Sequence, residues 1–305
     1  MEGRIMSIRL AHFADLHLDI YCTHLGSQKI VGNQNVYYLD RLNRFTTAIQ
    51  QAVDFGVDAI VISGDIFNKA KPTPREYEDF GKTLQTIPEK IKIFLIVGNH
   101  DEWSAQKSAP LEAFRGHRYQ IATHAVCIVS TGTAGYLLAP WGTKIEDIKD
   151  NLKILPPDKP RIVIGHMAVR EADRFFSELD DESGGIDLAD LKKLPCDAIL
   201  LGHHHNQTKL SYRKHTPEIW YAGSLEVVHD FSEQDQQKGW LLWDVSKNIE
   251  GHWSITVTPQ QVDGPLFKTV NIDDLLISDP ASFKDVYLRI KGELSLKNRP
   301  LLQNL

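Results

Sequence analysis

The sequence predicts an α/β fold in which two sheets pack face to face between outer helices. Three observations carry that expectation. Short runs rich in Ile, Val and Leu recur at "SIRLAHFA", "DAIVISG", "KIFLIVG", "RIVIGH" and "DAILLG". Segments with apolar residues at helical spacing lie among these runs. Two further stretches, residues 121–140 and 209–257, hold short strands with Gly turns and no helix, which reads as a second and more antiparallel sheet.

Taken in order, the strand pattern begins at Ser7. The next segment, 38–55, places Leu42, Phe45, Ile49, Ala52 and Val53 on one helical face, and Gly56 ends it. Helices are expected again over 74–87 and 144–152. Strand, helix, strand, helix, strand implies right-handed crossovers. After Pro265 the pattern restarts: "LFKTVNI" reads as a strand, "SDPASFKDV" as a short capped helix and "YLRIKGEL" as a strand. The expected division is therefore a main domain over residues 1–262 and a small α+β appendix over 263–305.

The bulk properties fit a soluble globular protein. The chain has 305 residues, 42% hydrophobic and 24% charged, with a formal net charge of −6. No apolar run is long enough to cross a membrane. The three cysteines, Cys22, Cys127 and Cys196, are scattered and form no disulfide framework, which suits a reducing, cytoplasmic setting. The acidic balance excludes a global basic face, so any nucleic-acid contact has to come from a local patch.

Each of the five apolar runs ends in a residue type that binds metals. They supply Asp15 and His17, then Asp65, then Asn99, His100 and Asp101, then His166, and finally the run His203, His204 and His205. Taken singly, an Asp after a strand is a turn or a cap, and a His is a surface or satisfied core residue. Taken together, five strand ends with such residues point to one rim beyond the carboxyl ends of the strands. Extended spacing lets Asp15 and His17 face one ion, and likewise His203 and His205, while His204 points away. The set is too large for one tetrahedral zinc, and it is enough for two ions sharing a bridging carboxylate. Mixed His, Asp and Asn ligands suit manganese, iron or zinc better than magnesium alone. Two such ions clamp an in-line displacement at phosphorus. If Asn99 binds metal, His100 points elsewhere as a candidate acid for the leaving oxygen, and Asp101 is expected to hold it oriented.

In this order, "DLH", "GD", "GNHD", "GH" and "GHHH" resemble the five signatures of calcineurin-like metallophosphoesterases, from Asp15 to His205. The resemblance implies an α/β/β/α metallophosphoesterase sandwich. It implies one metal on Asp15, His17, Asp65 and His205, and a second on Asp65, Asn99, His166 and His203, with His100 in the catalytic position. "GDIFN" and "YAGSLEVVHDFSEQDQQKGW" are similar to the SbcD-type DNA repair nuclease branch, and the appendix resembles its DNA-capping domain. That branch implies a manganese-dependent 3′–5′ exonuclease on double-stranded DNA, with endonuclease activity alongside. It also implies a homodimer and an SbcC-type coiled-coil ATPase partner. Leu305 falls before the segment that carries the ATPase-binding helices in that branch. Two departures stand out: Asn68 replaces a usual His or Asp, and His204 replaces a usually apolar or small residue.

Lys69, Lys71 and Arg75, in the loop after Asp65, are expected to touch DNA phosphates; the alternative is that they are solvated loop charges. Arg170 and Arg174 are a weaker case. The competing functions are a phosphatase or small-molecule phosphodiesterase on the same fold, and a scaffold that has lost catalysis.

Overall fold

The computed structural model describes residues 7–22, 30–31, 34–102, 109–116, 118–170, 185–211, 216–247 and 251–292. Arg174 lies outside them. The elements follow in chain order. β1 is Ser7–Phe13, β2 Ile30–Val31, β3 Gln34–Asn35, α1 Val36–Asp54, β4 Ala59–Ser63, α2 Pro74–Gln85 and β5 Lys92–Ile96. Then come β6 Tyr119–Ala122, β7 Cys127–Ser130, β8 Gly135–Ala139, α3 Ile145–Leu152, β9 Arg161–His166, α4 Leu188–Leu191 and β10 Ala198–Gly202. β11 is Thr208–Lys209, β12 Glu218–Tyr221, β13 Trp240–Lys247, β14 Trp253–Gln260, β15 Leu266–Asn271, α5 Ile272–Ile277 and β16 Val286–Lys291.

Two six-stranded sheets form the body, in the orders β14-β13-β1-β4-β5-β6 and β11-β12-β10-β9-β8-β7. Between them lies a core of Leu10, Val61, Phe94, Tyr136, Ile164, Leu200 and Trp243. Phe45, Ile49, Phe80 and Leu84 of α1 and α2 cover the outer face of the first sheet. Ile148, Leu152 and Leu191 of α3 and α4 cover the outer face of the second. This is the expected α/β/β/α sandwich. The local signals act as chemistry dictates. Asn35 caps α1 by accepting from the Tyr37 amide, and Gly56 takes φ +67° just past its end. Thr73 and Glu76 form a capping box with Pro74 at the start of α2.

Two expectations change. The second sheet is not mainly antiparallel: β8, β9, β10 and β12 run parallel, and only its edge strands β7 and β11 pair antiparallel. Most of 209–257 goes instead to the first sheet, where β13 pairs antiparallel with β1 and β14 with β13. The five motif-bearing strands are also divided, with β1, β4 and β5 in the first sheet and β9 and β10 in the second. Alternation within a strand cannot tell which sheet a fully buried run joins, because both of its faces are apolar.

The appendix is a parallel β15-β16 pair, so its βαβ character holds. Its helix comes earlier than expected, at Ile272–Ile277. The stretch "PASF" makes only a 3₁₀ turn, with Asp279 accepting from the Ala281 amide. Phe267 and Tyr287 pack on Tyr37, Val227 and Phe231, and the Tyr287 hydroxyl donates to Asp40. No described helix is long and apolar enough to cross a membrane.

Candidate metal centre

The loops after β1, β4, β5, β9 and β10 meet at one edge of the sandwich. The backbone is held tightly there. Asp15, His17, Asp65 and His203 all take positive φ, at 52°, 44°, 50° and 112°, which costs non-Gly residues free energy and recurs at functional sites. At Gly98 a side chain is excluded: a Cβ would lie 2.1 Å from Asp65 Oδ1 and 2.3 Å from the Asp65 amide. A Cβ on Gly202 would lie 1.9 Å from the Ser63 carbonyl oxygen.

Asp65 is the centre of the arrangement. Its Oδ2 lies 3.5 Å from His17 Nε2 and 3.5 Å from His166 Nε2, and its Oδ1 accepts the His100 backbone amide at 2.9 Å. On the His17 side, donor atoms of Asp15, His17 and His205 lie within 4.8 Å of one another. On the His166 side, Asn99 Oδ1 is 2.9 Å from His166 Nε2 and 3.2 Å from His203 Nδ1. All seven residues expected to bind metal are therefore together, in two groups that meet at Asp65.

The imidazoles are oriented for the task. His166 Nδ1 donates to the Ser63 carbonyl at 2.8 Å, His17 Nδ1 to Asn68 Oδ1 at 3.0 Å, and His205 Nδ1 to Glu233 Oε1 at 3.0 Å. For His17 and His205 the bond fixes the tautomer and leaves Nε2 free to bind a cation, whereas His166, charged beside Asp65, would give up its Nε2 proton to an ion. His17 Nε2 is buried and has no hydrogen-bond partner, so it is an unsatisfied group that a cation would complete. The residues present fit divalent metal ions.

The charges agree. Burial, the largest influence, raises Asp15 to about 6. Burial works the same way on Asp65, but the neighbouring His166, His17 and His100 outweigh it and hold Asp65 well below the usual carboxylate range. Burial lowers His166, yet the Asp65 carboxylate beside it prevails and brings it to about 9. Bound cations would take over this neutralising role from protons.

Some residues do other work than expected. Asp101 does not orient His100. It accepts from the backbone amides of Ile66, Phe67 and Gly98 at 2.9–3.1 Å and ties the β4 loop to the β5 loop. His100 Nδ1 donates instead to the Asn68 carbonyl at 3.2 Å, and the ring stands edge-on to His17 at 4.7 Å. His204 does face away from the centre, but it is 3% exposed and meets the Tyr221 ring edge-on at 4.5 Å. β10 ends at Gly202, so the positive φ of His203, not strand alternation, separates these side chains. Lys69 pairs with Asp19 at 3.1 Å and Arg75 with Asp79 at 2.6 Å, so neither is a free cation facing the rim. Lys71 makes interactions of its own. Arg170 pairs with Asp187 at 2.7 Å.

Sequence reasoning missed the supports. Glu233 receives His205 Nδ1, the amides of Val228 and His229, and Lys238 Nζ at 2.6 Å. Lys238 also reaches Ser224 Oγ and the His205 carbonyl. Both residues lie in the 221–240 segment that carried the nuclease-branch resemblance, but the pairing with His205 needs the folded turn. Arg41 of α1 donates to the His17 carbonyl at 2.6 Å and to the Val227 carbonyl at 3.0 Å, and its position on a helical face gave no sign of this.

A family model described as calcineurin-like phosphoesterase matches residues 8–207. The chain belongs to that family. As a calcineurin-like phosphoesterase it is a hydrolase of a family that uses divalent metals. It is 30% identical over 234 residues to the DNA double-strand break repair protein Mre11 of Methanosarcina acetivorans, covering 72% of this chain and 34% of that protein. It therefore spans about a third of that relative's length. It is 24% identical over 330 residues to the SbcD component of the SbcCD nuclease of Bacillus subtilis, covering 95% of this chain and 81% of that one. The corresponding component of the Staphylococcus epidermidis nuclease is 23% identical over 266 residues, covering 79% and 67%.

Proposed function

We propose that this calcineurin-like phosphoesterase is a two-metal DNA nuclease, degrading double-stranded DNA from 3′ ends with manganese and cutting internally as well. The observation that carries the two-metal reading is the position of Asp65, whose Oδ2 stands 3.5 Å from His17 Nε2 on one side and from His166 Nε2 on the other. Asp15, His17, Asp65 and His205 would hold one ion, and Asp65, Asn99, His166 and His203 the other. When bound, such ions activate a water and stabilise charge at phosphorus.

The rest is the chain's own work. Asp65 Oδ1, by accepting the His100 amide, fixes the loop that carries His100. The Asn68 carbonyl accepts from Nδ1 and orients the His100 ring, so that the imidazolium form carries its second proton on Nε2, from which it would pass to the leaving oxygen and leave a neutral imidazole. Glu233 and Lys238 hold His205 in place. DNA as substrate is supported by the likeness to a DNA break repair protein in Methanosarcina acetivorans and a nuclease in Bacillus subtilis. The resemblance of the segments "GDIFN" and 221–240 to the SbcD-type branch motivates the further proposals of a homodimer, an SbcC-type ATPase partner and residues 263–305 as part of a DNA-capping domain.

Purified protein with manganese and an end-labelled duplex tests this reading. Label is expected to be lost from 3′ ends, and EDTA is expected to stop the loss. Hydrolysis of bis-p-nitrophenyl phosphate with no cleavage of any DNA would overturn the nuclease reading and leave a small-molecule phosphodiesterase.

A further inference from the structure

Beside the His166 and His203 group, a cavity of about 270 Å³ opens between the loop after β8 and the loops around β9 and α4. Trp141 forms the wall between the two. Its ring lies 5.1 Å from His203, tilted by 32°, and 5.9 Å from His166, and it also borders the cavity. The position is built in, since the Trp141 amide donates to the Val97 carbonyl at 2.9 Å, just before the Gly98 and Asn99 turn. Met167 and Ile186 give the cavity apolar surface. Glu146, Asp187 and Asp190 bring carboxylates to it, against the cations Lys144 and Arg170.

That lining selects a chemical class. Asp187 already engages Arg170, which sets Lys144 against the two remaining carboxylates of the lining, Glu146 and Asp190. The acidic excess disfavours an anion. It suits a flat, uncharged heterocycle with N–H donors, and Trp offers such a ring a face or edge to pack on.

We propose that this cavity takes one nucleobase of the strand whose phosphate lies at the metal centre, with Trp141 as its stacking partner. The proposal deepens the nuclease reading by adding a base subsite, and it rests on the phosphodiesterase chemistry of that centre. Stacking of one base on an aromatic side chain corresponds to about 5- to 150-fold in affinity.

The experiment uses the manganese-loaded protein with thymidine 5′-(p-nitrophenyl phosphate) and the baseless methyl p-nitrophenyl phosphate. Trp141→Ala is expected to lower kcat/KM for the nucleotide by about tenfold, mainly through KM. The baseless substrate should be hydrolysed as before, and Trp141→Phe should restore most of the loss. Equal losses on both substrates, or no loss on the nucleotide, would overturn the base subsite. Because neither substrate is DNA, failure of the nuclease reading shows separately, as hydrolysis of both compounds with duplex DNA left intact.

Discussion

At the residue scale, three neighbouring histidines and one distant one divide the labour. His203 and His205 face the donor groups, while His204 packs against Tyr221 in the interior. His204→Ala is therefore expected to keep metal and turnover but to lose about 1–3 kcal/mol of stability, the usual cost of emptying a packed site. Parallel metal analysis and thermal melts check this, and a loss of bound metal would contradict it. His100 makes the complementary case. It touches the centre through its backbone amide and stands beside His17 with its Nε2 available. His100→Ala should keep bound metal and lose roughly 10²–10⁴-fold in turnover, as for a general acid. Full activity in that variant would remove its role. Asp101 teaches a different lesson at this scale. Three backbone amides converge on its carboxylate, and that bracing role was invisible beside the more obvious pairing with an adjacent histidine.

At the scale of elements, the loops matter more than the strands they follow. Gly98 has to be small because the Asp65 carboxylate occupies the place of its side chain. Gly98→Ala is expected to push Asp65 out of position and abolish metal binding while the sheets remain folded. Circular dichroism with metal titration reads both, and wild-type affinity would contradict the close approach. The strand ends themselves were legible in the sequence, because Ile, Val and Leu runs closing on Asp, Asn or His are a local signal. The support given by Glu233, Lys238 and Arg41 was not legible. Those contacts join segments far apart in the chain, and nothing in spacing or periodicity reports a contact of that kind. The appendix helix departs from its expected place for a local reason: Pro280 has the look of a helix start, but the segment after Asp279 closes only one 3₁₀ turn.

At the scale of the whole molecule, two sheets stack so that five strand ends from both of them reach one edge. The sandwich was legible in the sequence, but the allocation of strands to sheets was not, since fully buried strands show no polar face. The buried charges also give the molecule a pH signature. Burial raises Asp15 to about 6 and Glu226 to about 7, and Asp65 brings His166 to about 9 against the effect of burial. All three bind protons more tightly folded than unfolded, so their contribution is present at low pH and fades as pH rises through those values. Asp65 and Glu233, held low, lose their contribution only in acid, below about pH 4. Burial lowers His12, His17, His203 and His204, which opposes this trend below about pH 6.5, so metal-stripped protein should lose stability from about pH 7 to about pH 9, and manganese should restore it most at the alkaline end. Denaturant melts across that range, with and without metal, check the sign. The most direct test of the central claim is the electron paramagnetic resonance spectrum of protein loaded with two equivalents of manganese. Two ions bridged by Asp65 should give an exchange-coupled multiline spectrum that is absent from Asp65→Ala. A six-line signal of isolated manganese in the wild-type protein would contradict the shared carboxylate.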